Sequence, residues 1–137
     1  MNHNTDCIFC KILAGEIPSY KIYENDHVYA FLDVAEDADG HTLVIPKKHC
    51  RNVLDAEPEE LSKTLAGVQA VARHYVKDCG YDGASVVTFA EPCAGQSVFH
   101  WHFHVYPRKN GDGLFVFPKF KKCTRSLSAI QKLLQFS

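Results

Sequence analysis

No apolar run in this 137-residue chain approaches the roughly 18 residues needed to cross a bilayer, so a membrane partner is not expected. The opening MNHNTDCIFC has neither a basic n-region nor an apolar h-region, and the chain is predicted to be cytoplasmic. Charge of one sign is also lacking. Fifteen Lys and Arg face sixteen Asp and Glu, a formal net charge of -1, which argues against a grip on long nucleic acid. Neither GxxxxGK[ST] nor GxGxxG occurs, so both standard phosphate-loop signatures are missing. No internal repeat, low-complexity tract or long linker divides the sequence, and residues 1–137 are read as a single domain. What remains is an ordinary globular composition, 46% hydrophobic and 23% charged, in a chain long enough to bury roughly two-thirds of its surface.

Residues 7–18 read as a short helical turn closing at Gly15 to Pro18. Residues 21–24 and 28–31 read as strands around Asn25-Asp26, and residues 42–45 as a third strand ended by Pro46. The clearest helix spans residues 58–79. Pro58 suits its first turn, Glu59 and Glu60 complement its dipole, and Gly80 follows its end. Leu61, Leu65, Val68, Ala72, Tyr75 and Cys79 recur at steps of three and four and predict its packing stripe. Residues 84–89 and 98–106 supply two further strands. A short C-terminal helix over residues 126–134 carries Leu127, Ile130 and Leu134 on one side. Hairpin-like strands with one long inserted helix predict an α+β fold with a five-stranded, mostly antiparallel sheet.

Six cysteines in a reducing compartment suggest a metal or redox pair rather than disulfides, and Cys7 and Cys10 form a CxxC. The most informative segment is Phe99-His100-Trp101-His102-Phe103-His104-Val105. Strict alternation is a strand pattern, predicting Phe99, Trp101, Phe103 and Val105 on one face and three imidazoles on the other. Alternate strand residues lie about 6.6–7 Å apart, so neither one metal nor one phosphate spans all three rings, and one end histidine has a separate task. Ahead of them, Gly95, Gln96 and Ser97 form a turn whose backbone N–H groups could cradle phosphate oxygens.

His100-Trp101-His102-Phe103-His104-Val105-Tyr106 resembles the His-x-His-x-His-x-x motif of the histidine triad (HIT) nucleotide-binding proteins. Other segments resemble the family in the same order: Cys7 to Ile12, Gly15 to Pro18, Ala30 to Asp33, His41 to His49 and Gly95 to Val98. The resemblance covers residues 6–115 and is nearest to a zinc-containing, bacterial-type, Hint-like branch. It implies a HIT-like fold and a homodimer that binds a purine nucleotide. It further implies a hydrolase cleaving nucleoside 5′-phosphoramidates or related conjugates at the α-phosphorus. His102 would be the nucleophile, forming a nucleotidyl-histidine. His104 would contact the phosphate and assist the leaving group, with His41 as supporting partner. By matching position, Asp33 would receive the ribose, Phe9, Ile12 and Phe31 would wall the base, and Gly95, Gln96 and Ser97 would line the phosphate. Cys7, Cys10, His49 and His100 match the ligands of a structural Zn2+.

The chain departs from that pattern in two places, before the Gly-Gln turn and after the motif, where Pro107-Arg108 and Gly111-Asp112-Gly113 stand in place of the Gly-Gly ending of the Hint branch. Relatives carry asparagine before the Gly-Gln turn, where it touches phosphate. Here the segment is Thr88-Phe89-Ala90-Glu91-Pro92-Cys93, and Thr88 is the nearest polar substitute. Pro107-Arg108 keeps a dinucleoside polyphosphate hydrolase as an alternative, with Arg108 and Lys109 holding a second phosphate chain. A nucleotide-binding regulatory module with little catalysis is a further alternative.

Overall fold

Asn25 sets the first turn. Its Oδ1 accepts the backbone N–H groups of His27 at 2.8 Å and Val28 at 2.9 Å, folding β1 (Lys21–Glu24) back onto β2 (Val28–Leu32). These coordinates are a computed structural model, which describes residues 6–35, 37–114 and 120–137. Beyond β3 (Thr42–Pro46), helix α2 (Pro58–Lys77) carries the chain over the sheet to β4 (Gly83–Val87), and β5 (Phe103–Arg108) then inserts between β3 and β4. The sheet order is β1-β2-β3-β5-β4 with every neighbouring pair antiparallel. The α+β expectation, with five strands and one long helix, therefore describes the fold.

Two apolar layers sandwich the sheet. Val28, Ala30, Val44 and Val105 meet Val68, Val71 and Tyr75 of α2 on one face. Phe31, Leu43 and Ile45 meet Cys7, Phe9 and Cys10, at and within the short helix α1 (Ile8–Leu13), on the other. Both faces of β3 are covered, which is why Leu43-Val44-Ile45 is an unbroken apolar run rather than an alternating one.

Two expectations are corrected. The buried stripe of α2 consists of Thr64, Gly67, Val68, Val71 and Tyr75, while Leu65 is 56% exposed and Cys79 lies beyond the helix on the surface. Size misled the periodicity reading, because the helix seats on its small side. A Cβ at Gly67 would lie 2.6 Å from Val28 Cγ2, and Val28 is fully buried. Gly67→Ala is accordingly expected to lose about 1–3 kcal/mol to overpacking, outweighing the roughly 1 kcal/mol of helix propensity that alanine supplies. A urea midpoint equal to or above wild type would contradict this.

The second correction concerns the histidine strand. The β5 ladder begins at Phe103, not at Val98. The main chain before it is engaged elsewhere: Trp101 N–H donates to the Cys50 carbonyl at 2.8 Å, and Thr88 Oγ1 donates to the His102 carbonyl at 2.7 Å. Trp101 and Val105 are buried as expected, but Phe99 is 39% exposed beneath the Arg51 guanidinium. The C-terminal helix α3 (Leu127–Leu134) is capped by Ser126 and leaves Leu127, Leu133 and Leu134 exposed. Among the described residues, no helix is long and apolar enough to cross a membrane.

Candidate functional site

The segment 100–104 distributes its three imidazoles over two adjoining clusters. His100 is fully buried at the end of β3, where its Nε2–H donates to the Pro46 carbonyl at 2.8 Å. That bond fixes the tautomer and turns the Nδ1 lone pair toward Cys7 Sγ (3.3 Å), Cys10 Sγ (3.6 Å) and His49 Nδ1 (3.1 Å). Cys10 Sγ also lies 3.4 Å from His49 Nδ1. Helix α1 brings the two thiols together, since Cys7 is its N-cap and Sγ accepts the Cys10 N–H. Burial pushes His100 down to about 4 and lowers His49, favouring the neutral ring that a metal binds. A zinc tetrahedron with bonds of about 2.3 Å to sulfur and 2.0–2.1 Å to nitrogen has edges near 3.3–3.8 Å. The four donor atoms lie within 4.8 Å of one another, and four of their six separations run from 3.1 to 3.6 Å, so the set fits a closed metal centre.

His102 retains 8% of its surface, and Phe9 packs against both its ring and that of His100. The His100 carbonyl, an obligate acceptor, faces His102 Nδ1 at 2.8 Å. Nδ1 therefore carries the proton and Nε2 keeps its lone pair. Phe9 stands edge-on at 5.1 Å between ring centroids, and His104 at 5.0 Å. Burial lowers His102 from its ordinary value and pushes His104 down to about 4. Two neutral, adjoining imidazoles thus line one site.

Behind His104 stands His41, 4% exposed, at the start of β3. Its Nε2 lies 2.9 Å from His104 Nδ1, and its ring stacks on Tyr106 at 4.1 Å. Asp37 Oδ1 reaches His41 Nδ1 at 2.7 Å, whereas Asp33 Oδ2 stops at 3.7 Å. Asp33 Oδ1 accepts the Ala35 N–H, leaving its carboxylate one-fifth exposed beside the histidines. Asp33, His41 and His104 also converge within 4.8 Å.

Other positions singled out in the sequence are placed differently. Phe9 and Phe31 meet edge-to-face at 5.6 Å and are only 4–5% exposed, packed with Ile12 in the α1-side core. Gln96 has no side-chain capacity left for a ligand: Nε2 donates to the Arg51 and Val98 carbonyls, and Oε1 accepts from Asn52 and the Glu91 N–H. Its side chain shapes the turn, while its backbone N–H donates to the Glu91 carbonyl at 3.2 Å and the Gly95 N–H to the Pro92 carbonyl at 3.0 Å. Gly95 holds φ +108° at the Gly-Gln turn and leaves room for Phe89, whose ring would lie 3.5 Å from a Cβ there. Ser97 is exposed between Cys7, His49 and Phe99. Thr88 is spent on the His102 carbonyl and the Trp101 indole N–H, so it does not stand in for asparagine.

Sequence reasoning missed the clamp on this turn. Glu91 adopts φ +79°, a strained conformation for a residue with a Cβ, costing on the order of 1–3 kcal/mol. Its carboxylate is gripped by Arg51 (2.7 and 3.0 Å) and by Asn52 Nδ2 (2.7 Å). Only the fold brings residues 51 and 91 together, so no local motif could have signalled it.

Comparisons with known proteins fall on these same segments. The family model for the HIT domain matches residues 14–111. The protein Hit of Bacillus subtilis is 46% identical over 109 residues, 79% of this chain and 75% of its own length. A crystal structure of a zinc-bound histidine triad family protein from Mycobacterium smegmatis superposes with a TM-score of 0.74 at 37% identity, covering 87% of this chain and 84% of that one. An adenylylsulfatase of Arabidopsis thaliana is 36% identical over 110 residues, 80% of this chain and 56% of the plant protein. With the domain matched across the sheet, α2 and the whole His100–His104 segment, the chain belongs to the HIT family.

Proposed function

We propose that the protein is a homodimeric, cytoplasmic hydrolase of purine nucleoside 5′-phosphoramidates or related nucleotide conjugates. It acts at the α-phosphorus through a nucleotidyl-histidine. One observation carries this reading: the His102 Nδ1–H···O=C bond to His100, at 2.8 Å, leaves Nε2 as a free lone pair beside a second neutral imidazole. His102 is the attacking group and His104 the proton donor to the departing atom. Asp33, with its partly exposed carboxylate, receives the ribose hydroxyls, and the Gly95-Gln96-Ser97 turn lies against the phosphate, with Ser97 as the donor because the Gly95 and Gln96 N–H groups go to the Pro92 and Glu91 carbonyls. Phe9, Ile12 and Phe31 back the base site. Nucleotidyl hydrolysis in the family is supported by the plant adenylylsulfatase, whose name carries that activity.

Cys7, Cys10, His49 and His100 hold a structural Zn2+, which contributes a closed Cys2His2 crosslink between α1 and the sheet and takes no part in the chemistry. The zinc-bound relative supports the metal. A dinucleoside polyphosphate substrate is less well supported. Arg108, its expected anchor, is bidentate on Asp112 at 2.8 and 2.9 Å and also donates to Ser85. Turnover of adenosine 5′-phosphoramidate set against diadenosine polyphosphate decides between the two, and cleavage of neither ends both.

Burial also makes stability depend on pH. His104 meets His102, His41, Asp33 and Asp37, with Tyr106 stacked alongside, and its desolvation outweighs the carboxylates. The unfolded chain takes up this proton near pH 6.5, the folded chain only near 4. Stability is therefore fully present above 6.5 and falls as pH drops toward 4, by at most about 3 kcal/mol from this group. Urea unfolding at pH 7 and pH 5 measures it. In His104→Asn the gap between the two pH values is expected to narrow, and an unchanged gap would assign the loss elsewhere.

A further inference from the structure

Asp37 belongs to no motif and matches no expected site residue, yet it makes the shortest contact to His41. A carboxylate only accepts, so at 2.7 Å from Asp37 Oδ1 the His41 Nδ1 carries a proton. At the far end of the same ring, His41 Nε2 and His104 Nδ1 share one hydrogen over 2.9 Å. Whether the pair has taken up one further proton from solvent decides what His104 can do. Without it, His104 Nδ1 donates, its Nε2 is a bare lone pair and it has nothing to give a leaving group. With that proton on His104 Nε2 and the shared hydrogen on His41 Nε2, His104 is neutral overall but presents an Nε2–H, and His41 is an imidazolium. Desolvation disfavours a charged His104 ring, so the second arrangement is the way this buried imidazole delivers a proton. That arrangement needs a counter-charge on His41, and Asp37 touches it.

We propose that Asp37 is a positioning residue that holds the His41–His104 pair in the state where neutral His104 donates from Nε2 to the leaving group. This rests on the hydrolase reading above. In the first step the His102 Nε2 lone pair forms a bond to phosphorus and the phosphorus–nitrogen bond to the leaving amine breaks. The departing nitrogen keeps the electron pair and takes the His104 Nε2 proton, while His104 Nδ1 takes the proton from His41 Nε2. In the second step water oxygen bonds to phosphorus, the pair returns to His102 Nε2, the water proton goes to His104 Nε2, and His104 Nδ1 returns its proton to His41. Throughout, His41 Nδ1–H stays on Asp37. Because Asp37 takes that N–H, Asp33 at 3.7 Å keeps an oxygen for a substrate hydroxyl.

The test uses Asp37→Asn, which keeps the shape and removes the charge, on two substrates sharing one purine nucleotide. One bears an alkylamine leaving group, which must be protonated to depart, and the other a nitrophenolate, which need not be. We expect kcat on the amine to fall at least tenfold more than on the nitrophenyl ester, with KM within about threefold. Asp37→Glu should recover part of the loss. Equal losses on both substrates would mark Asp37 as merely structural and overturn the inference while the hydrolase reading stands. A wild-type protein that cleaves neither substrate would overturn both. Independently of turnover, the His41 Nδ1–H resonance should lie far downfield in wild type and move upfield in Asp37→Asn; an unmoved resonance also overturns the inference.

Discussion

Replacing His102 by alanine is expected to lower kcat by at least ~10^4-fold, because among the described residues no other group combines a free imidazole lone pair with the position of His102 Nε2. The loss falls on kcat more than on KM, since the ring contributes in the transition state and little to holding the nucleotide. Folding should survive. The substitution opens a cavity beside Phe9 and removes one hydrogen bond to the His100 carbonyl, together on the order of 2–4 kcal/mol. The main chain of residues 101 and 102 remains tied to Cys50 and Thr88. Rapid quench of wild type with substrate, followed by peptide mass spectrometry, should find the nucleotidyl group on the peptide carrying His102 and none in the variant. Turnover in His102→Ala within tenfold of wild type, or an adduct on another residue, would end the covalent reading.

The alternation of imidazole and apolar side chains was legible as chemistry but misleading as geometry. It implied one continuous strand, whereas the ladder starts at Phe103 and the two upstream histidines are set by long-range bonds to Pro46, Cys50 and Thr88. The sequence pattern did separate one end histidine from the other two, and the fold agrees, with His100 facing the thiols and His102 facing His104. Where reasoning relied on side-chain size it failed: Gly67 and Thr64, not Leu65, seat α2, because closeness of backbone rather than bulk decides that contact. Where it relied on residue type alone it was incomplete. A Gly-Gln-Ser turn suggested a backbone cradle for phosphate, yet the Gly95 and Gln96 N–H groups go to the Pro92 and Glu91 carbonyls, and the Gln96 side chain is consumed in holding Arg51, Asn52, Glu91 and Val98 in place. Asp37 was hidden for the opposite reason, since an acidic residue in an acidic loop is unremarkable until His41 is seen at 2.7 Å.

Metal removal is the other large effect. Cys7→Ser isolates it unusually well, because serine is a strong N-cap and preserves the bond that Cys7 Sγ now accepts from the Cys10 N–H. Any stability lost is therefore metal stability and not helix capping. With three ligands left, zinc content should fall from one per chain toward zero after dialysis against a chelator. Unfolding should become easier by at least ~3 kcal/mol, or roughly 10 °C in Tm for a chain of this size. The loss is large because α1 is short, and its remaining hold on the sheet is the layer formed by Phe9, Phe31, Leu43 and Ile45. Activity of the protein that remains folded should stay within a few-fold of wild type. What His102 needs from His100 is the main-chain carbonyl, and neighbouring bonds fix that carbonyl whether or not the His100 ring holds a metal. A Cys7→Ser protein with full zinc and unchanged Tm would remove these residues from the metal site. One that keeps its fold but loses turnover along with zinc would mean that the metal acts on the chemistry after all.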